Sequence, residues 1–303
     1  MSNRNGVIKF GKMVADEDIR KFFLLQFLMF TSFLSQGTIK LSSCDANQNM
    51  DCLEVEKEAL LKFKQGLTDP SDLNKNNFEG MEIPKFIGSL GKLRYLNLSG
   101  ASFGGGLLDA FQNFTSLQLL DLSKNLNIEG KLLRTLGNLF YLWTLILSAN
   151  KLSGEITEFL DGLSACSYNT VENLDLGFNK LTGNLPNSLG HLKNLRYLQL
   201  WSNLFHGSIP ESIGSLSSLQ ELYLSQNQMS RIIPDSLGEL SSLVVLELNE
   251  NSWEGGITEA HFSNLSSLKQ LSITKSSPNV SLVFNISSDW APPFKLTYIN
   301  LRS

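Results

Sequence analysis

Cysteine is scarce in this chain of 303 residues: there are three, Cys44, Cys52 and Cys166. An odd count leaves one thiol unpaired or paired with another chain, which fits poorly with a complete disulfide framework. Histidine is equally scarce. His191, His206 and His261 stand apart from any cysteine or carboxylate at metal-ligand spacing, so no metal site is expected and the three are read as solvent-facing loop residues. Charged residues make up 18% of the chain and the net charge is −4, with no Lys/Arg run. Nothing there calls for nucleic acid or for a strong steering field. No G-x-S-x-G elbow, phosphate loop or kinase signature occurs, and the Gly104-Gly-Gly106 run lacks the Lys-Ser/Thr of a phosphate loop. The chain is therefore read as a non-enzyme with no catalytic residues and no cofactor.

Long hydrophobic runs are also missing. The apolar stretch Phe22–Leu34 has 13 residues, short of the roughly 20 that a membrane span needs. It follows Lys12, Arg20 and Lys21 and has the make-up of a signal-peptide core. Met13 is a candidate start, and cleavage is expected between Ser35 and Ser43. The competing reading is a buried helix or an uncleaved anchor. Residues 1–43 are assigned to signal peptide and leader. No second apolar run follows, so no membrane anchor or cytoplasmic domain is expected in the chain.

What the chain has in abundance is leucine at a fixed period. From residue 73 onward the pattern L-x-x-L-x-L-x-x-N-x-L/F recurs, starting at Leu93, Leu117, Leu142, Val171, Leu195, Leu219, Leu243 and Leu268. A partial copy begins near Leu73 and another is under way at Leu296–Leu301. Asn falls at 76, 125, 150, 179, 203, 227 and 251, mostly in steps of 24 or 25 residues. Such a period means stacked structural units. Within one unit, Leu195-Arg-Tyr-Leu198-Gln-Leu200-Trp-Ser-Asn203, the leucines alternate at period two, predicting a short strand with one buried face. The Asn amide, donor and acceptor at once, is expected to satisfy the turn backbone. Ala101 and Ser276 interrupt this ladder, and local loosening is expected there.

Each return half carries Gly-x-Ile/Leu-Pro, as in Gly183-Asn-Leu185-Pro186 and Gly207-Ser-Ile209-Pro210, with Arg231 replacing Gly in the next unit. Proline blocks further strand pairing, and a short helical stretch is predicted after it. The step from Asn150 to Asn179 is 29 residues, so a bulging loop is expected around Gly162–Thr170. The fold class is an α/β repeat: a curved, right-handed leucine-rich repeat solenoid with a parallel sheet on the concave face and short helical or 3-10 turns on the other side.

These motifs resemble the plant leucine-rich repeat receptor-like proteins, in particular those similar to the ethylene-inducing xylanase receptor. Residues 52–70, from Cys52-Leu-Glu-Val-Glu-Lys-Glu-Ala-Leu-Leu-Lys-Phe to Leu67-Thr-Asp-Pro70, resemble the first half of that family's N-terminal cap. Ala59, Leu60, Phe63 and Leu67 form the apolar stripe of a cap helix. Residues 44–72 are assigned to a partial cap and 73–303 to nine or ten repeats, the last incomplete. The second half of the cap is missing, which leaves Cys52 without its family partner. Ser303 falls inside a repeat, without the family's C-terminal cap cysteines or membrane helix, so the chain resembles a truncated form with an apolar end.

The resemblance implies an extracellular ectodomain that recognises a protein or peptide in defence signalling, at the cell surface or in the apoplast, with a co-receptor kinase as partner. The alternatives are a soluble inhibitor of cell-wall-degrading enzymes and a truncated product without signalling. Candidate ligand-binding residues on the concave face are Tyr95, Trp143, Glu172, Asp175, Phe178, Tyr197, Trp201, Glu221, Tyr223, Glu247 and Glu250. Aromatic residues with acidic neighbours on a polar sheet suit protein recognition. N-glycosylation sequons stand at Asn97, Asn113, Asn264, Asn279 and Asn285; most are expected to be occupied, Asn97 excepted because it sits in a strand.

Overall fold

The computed structural model describes residues 77–301 apart from 90–92, 108–110, 112–113, 115, 166–169 and 275–281. The leader, the cap helix, all three cysteines, Leu73, Asn76, Ser276, Asn113 and Asn279 lie outside the described residues. The chain divides into two compact units, Met1–Phe78 and Glu79–Ser303, and the second holds the repeats.

Each repeat begins with a three-residue strand. Tyr95–Asn97, Leu119–Asp121, Thr144–Ile146, Asn173–Asp175, Tyr197–Gln199, Glu221–Tyr223, Val245–Glu247, Gln270–Ser272 and Tyr298–Asn300 pair in sequence order into a nine-stranded sheet, and every pairing is parallel. The register is uniform, so Leu198 lies between Leu174 and Leu222. Successive strand side chains alternate faces. The middle leucine of each strand, from Leu96 to Leu271, is buried. Its neighbours Leu98, Leu122, Leu147, Leu176, Leu200, Leu224 and Leu248 are buried as well. Each leucine so removed from water stabilises the stack by about 1.5–3 kcal/mol, and the core is one continuous column of them.

The Asn ladder closes each repeat onto the one before. Asn203 Nδ2 lies 3.0 Å from Leu176 O and 3.2 Å from Leu200 O, while its Oδ1 accepts from Leu181 N at 3.0 Å. Asn125, Asn179, Asn227 and Asn251 make the same set of bonds. Asn150 keeps the Nδ2 bonds to Leu122 O and Leu147 O, but its buried Oδ1 has no partner. The residue before each ladder position adopts a left-handed backbone: Lys124, Ala149, Phe178, Ser202, Gln226 and Glu250 have φ between 52° and 58°. Where Ala101 replaces the Asn, the side chain is fully buried, and both Gly100 and Ser102 flanking it take positive φ.

A second sheet, of eight parallel strands from Gly104–Gly106 to Leu282–Phe284, follows the Asn turns. The sequence predicts the short helical or 3-10 turns on the other side and does not mark this second sheet. Segments such as Lys180–Gly183, Leu204–Gly207 and Gln228–Ile232 pair because near-equal repeats bring them side by side. Pro186, Pro210 and Pro234 then end each strand, lacking an N–H to donate, and open five-residue 3-10 turns at Asn187–His191, Glu211–Ser215 and Asp235–Glu239. Arg231, standing where other repeats have Gly, still takes the glycine-like φ of 74°.

In the longer repeat the extra residues build an α-helix, α1 (Thr157–Ser164), that buries Phe159, Leu160 and Leu163 against the stack. The expected bulge is thus partly helix; residues 166–169 of it lie outside the described set. One expectation is corrected. His191 and His206 are exposed, but His261 is buried. It occupies the inward position that Leu189, Ile213 and Leu237 take in earlier turns. There Nδ1 accepts from Thr258 N at 3.1 Å and Nε2 lies 3.0 Å from Ile233 O, so backbone groups supply the bonds its ring needs.

Candidate ligand-recognition face

Residues one and three of every strand in the nine-stranded sheet share the face turned away from the leucine core. In register they form two rows. One runs Tyr95, Leu119, Thr144, Asn173, Tyr197, Glu221, Val245, Gln270; the other runs Asn97, Asp121, Ile146, Asp175, Gln199, Tyr223, Glu247, Ser272. Most of these residues are half-buried by their neighbours.

The candidates fall into two groups. Tyr95 lies in the first strand, apart from the rest, and Trp143, 37% exposed, just before the third, where its carbonyl accepts from Glu172 N at 2.8 Å. Glu172, also just before a strand, pairs with Arg196 at 3.5 Å. Asp175 turns its carboxylate back on the chain, accepting from Ser148 Oγ at 2.6 Å and Gly177 N at 3.0 Å. Asp121, which the sequence did not single out, does the same with Ser123 N at 2.9 Å and Ser123 Oγ at 2.7 Å. Burial pushes both carboxyls above the ordinary range, and these hydrogen bonds pull against it.

The second group converges. Trp201, Tyr223 and Glu247, with Gln199, Ser225, Gln226, Asn249 and Glu250, line an open depression of about 460 Å³. Trp201 is held in place from below. A Cβ on Gly177 would collide with the indole Nε1 and push the ring out of its present place. Phe178, lifted outward by its left-handed backbone and 51% exposed, tilts against Trp201 with centroids 6.0 Å apart. Tyr223 and Glu221 flank Leu222 on the same face of one strand. Tyr197 donates to Gln220 Oε1 at 3.2 Å. Burial raises the Glu221 carboxyl above its ordinary value; burial and then the neighbouring Glu221 charge raise that of Glu247. Desolvation and the flanking carboxylates raise the Tyr223 phenol as well.

Gln199, Ser225, Gln226 and Asn249 went unnoticed in the sequence because polar uncharged residues there look like any solvated strand. Among the described residues no group of three or more His, Cys, Asp or Glu is placed to hold a metal ion. No helix among them is long and apolar enough to cross a membrane.

A family model described as "Leucine-rich repeat region" matches residues 158–288, and one described as "Leucine Rich Repeat" matches residues 92–114. The chain carries leucine-rich repeats over these stretches. It is similar to plant receptor-like proteins of the EIX type. This leucine-rich repeat chain is 52% identical over 79 residues to Receptor-like protein EIX1 of Solanum lycopersicum, a match covering 26% of the chain and 8% of that relative. The matched stretch is therefore a small part of the relative's length. Among solved structures, a TDR receptor is 32% identical with a TM-score of 0.61, over 75% of this chain and 41% of that one. The Arabidopsis receptor kinase HAESA, solved in complex with the peptide hormone IDA and the co-receptor SERK1, is 31% identical with a TM-score of 0.58, over 73% and 36%. These neighbours share the leucine-rich repeat stack described above.

Proposed function

We propose that the chain is the recognition part of an extracellular plant receptor-like protein and binds a protein or peptide ligand on the open face of its nine-stranded sheet. The observation that carries this reading is the depression walled by Trp201 and Tyr223, with Trp201 seated on Gly177 and braced by Phe178. A rigid aromatic anchor beside a polar rim concentrates binding energy at little entropic cost. Similarity to receptor-like proteins and to peptide-bound ectodomains supports the same role. On this reading signalling passes to a separate receptor kinase, the setting is plant defence at the cell surface, and the chain catalyses no reaction. Exposed Asn264 and Asn285 carry glycans, whereas half-buried Asn97 stays bare because its Oδ1 accepts from Ser99 N at 2.9 Å.

Panning a displayed random dodecapeptide library on the immobilised full chain tests the reading. Recovered peptides are expected to lose at least tenfold in affinity on Trp201→Ala or Tyr223→Ala, and to ignore Lys151→Ala on the eight-stranded sheet. Binders that respond to the second sheet and not to Trp201 would sink it.

A further inference from the structure

The depression is unbalanced in charge. Glu247 and Glu250 line it, and Glu221 stands one strand away in the neighbouring row. Among the described residues no Lys or Arg lies within ion-pair distance of these three carboxylates; Arg196, which shares the face, is taken by Glu172. Contrast Asp121 and Asp175 on the same row, whose carboxylates are answered by serine hydroxyls and backbone N–H groups. Glutamate is one methylene longer, so it carries its charge past the turn donors and out over the sheet. Glu221 and Glu247 thus meet burial and mutual repulsion without a protein cation to offset either. Along the same depression as Glu247 and Glu250, Trp201 packs over Gly177 and against Phe178, with its indole forming part of the wall. An indole in the same depression as unpaired carboxylates suits a planar cation: the guanidinium stacks on the ring and donates to the carboxylates at once.

We infer that the ligand of this face presents a basic side chain, arginine in preference to lysine, to the depression between Trp201 and the Glu221/Glu247 pair. This rests on the recognition role proposed above and adds the chemical class of the ligand: a cationic peptide segment. An acidic or neutral segment would leave the carboxylates desolvated and unpaired, and a sugar would use the aromatic wall without answering their charge.

The dodecapeptides recovered by panning provide the test. Those dependent on Trp201 are expected to be enriched in arginine and lysine. Replacing the key arginine by citrulline, its neutral near-isostere, is expected to cost at least tenfold in affinity on the wild-type chain and almost nothing on the Glu221→Gln/Glu247→Gln double variant. The double variant keeps side-chain size and both positions are partly exposed, so its fold is retained. Trp201-dependent peptides that are acidic or uncharged would overturn the inference while leaving the recognition role intact. So would an arginine-to-citrulline penalty equal in wild type and double variant. A library without any Trp201-dependent binder would overturn both.

Discussion

The two halves of the nine-stranded sheet share a row that carries Asp121 and Asp175 in one half and Glu247 in the other, and they put these carboxylates to different uses. In the first half the acids of that row are short: Asp121 and Asp175 fold back onto Ser123, Ser148 and Gly177 and complete the turns. Between Tyr197 and Glu250 the acids are long: Glu247 and Glu250 line a depression beside two aromatic rings, and Glu221 stands one strand away from Glu247. One methylene separates a turn-stabilising group from a ligand-facing one. On the proposed reading, stability and recognition fall to different strands of a single sheet.

The Asn ladder gives the hardest break in that comparison. Asn203→Ala removes both Nδ2 bonds and strands the Leu181 N–H, for an expected loss of about 3 kcal/mol. Asn150→Ala in the first half is expected to cost about 1 kcal/mol less, because its Oδ1 bonds nothing. Urea unfolding of the two variants measures the gap, and equal losses would show that the acceptor bond contributes nothing. Next comes Asp175→Ala, expected to cost about 1–2 kcal/mol by leaving the Ser148 hydroxyl and Gly177 N–H unanswered. Glu247→Ala should cost less than about 0.5 kcal/mol in the same assay; a larger loss there would erase the contrast between the halves.

The left-handed positions should ignore the division. Lys124→Gly and Glu250→Gly, one in each half and both near φ 55°, are each expected to stabilise the fold by about 0.5 kcal/mol, since glycine relieves the Cβ clash but loses more chain entropy. The smallest effect is in pH. Glu221 and Glu247 have folded values above their ordinary ones, so the native state binds more protons than the unfolded chain between the two. Stability from this pair therefore rises as pH falls through that window, and it is their ionised state that costs the fold. Exposed Glu259, lowered by its bond from Ser287 N, acts in the opposite sense. Subtracting the melting curve of the Glu221→Gln/Glu247→Gln variant isolates the pair. The wild type should melt below the variant at neutrality and close the gap as the pH falls toward the ordinary carboxylate range.

Leucine period and Asn spacing made the nine-stranded sheet legible in the sequence, because each depends on side chains that recur at one position per unit. The eight-stranded sheet was not legible. Its segments, such as Lys180-Leu-Thr-Gly183 and Leu204-Phe-His-Gly207, have little alternation of their own and pair only because the stack aligns them. His261 was misread because a lone histidine looks the same whether it replaces a surface residue or a core leucine; two of its partners, Thr258 N and Ile233 O, are backbone atoms that leave no trace in composition. For the candidate face, the sequence offers residue type without neighbourhood. Residue type picked out Tyr95 and Trp143 as readily as Trp201, and register alone separates them. Gly177 went unnoticed because its role is to be absent from the space that a residue 24 positions later fills.

Uniform parallel register has a metric consequence. Neighbouring strands lie about 4.8 Å apart, so the face is ruled at that interval along its length. A chain laid across it in polyproline II form climbs about 3.1 Å per residue and presents the same side every third residue, at about 9.3 Å. That nearly equals two rulings. A ligand crossing the strands therefore meets like positions on alternate repeats, and a spacing of three between its anchoring residues is the cadence this surface can count.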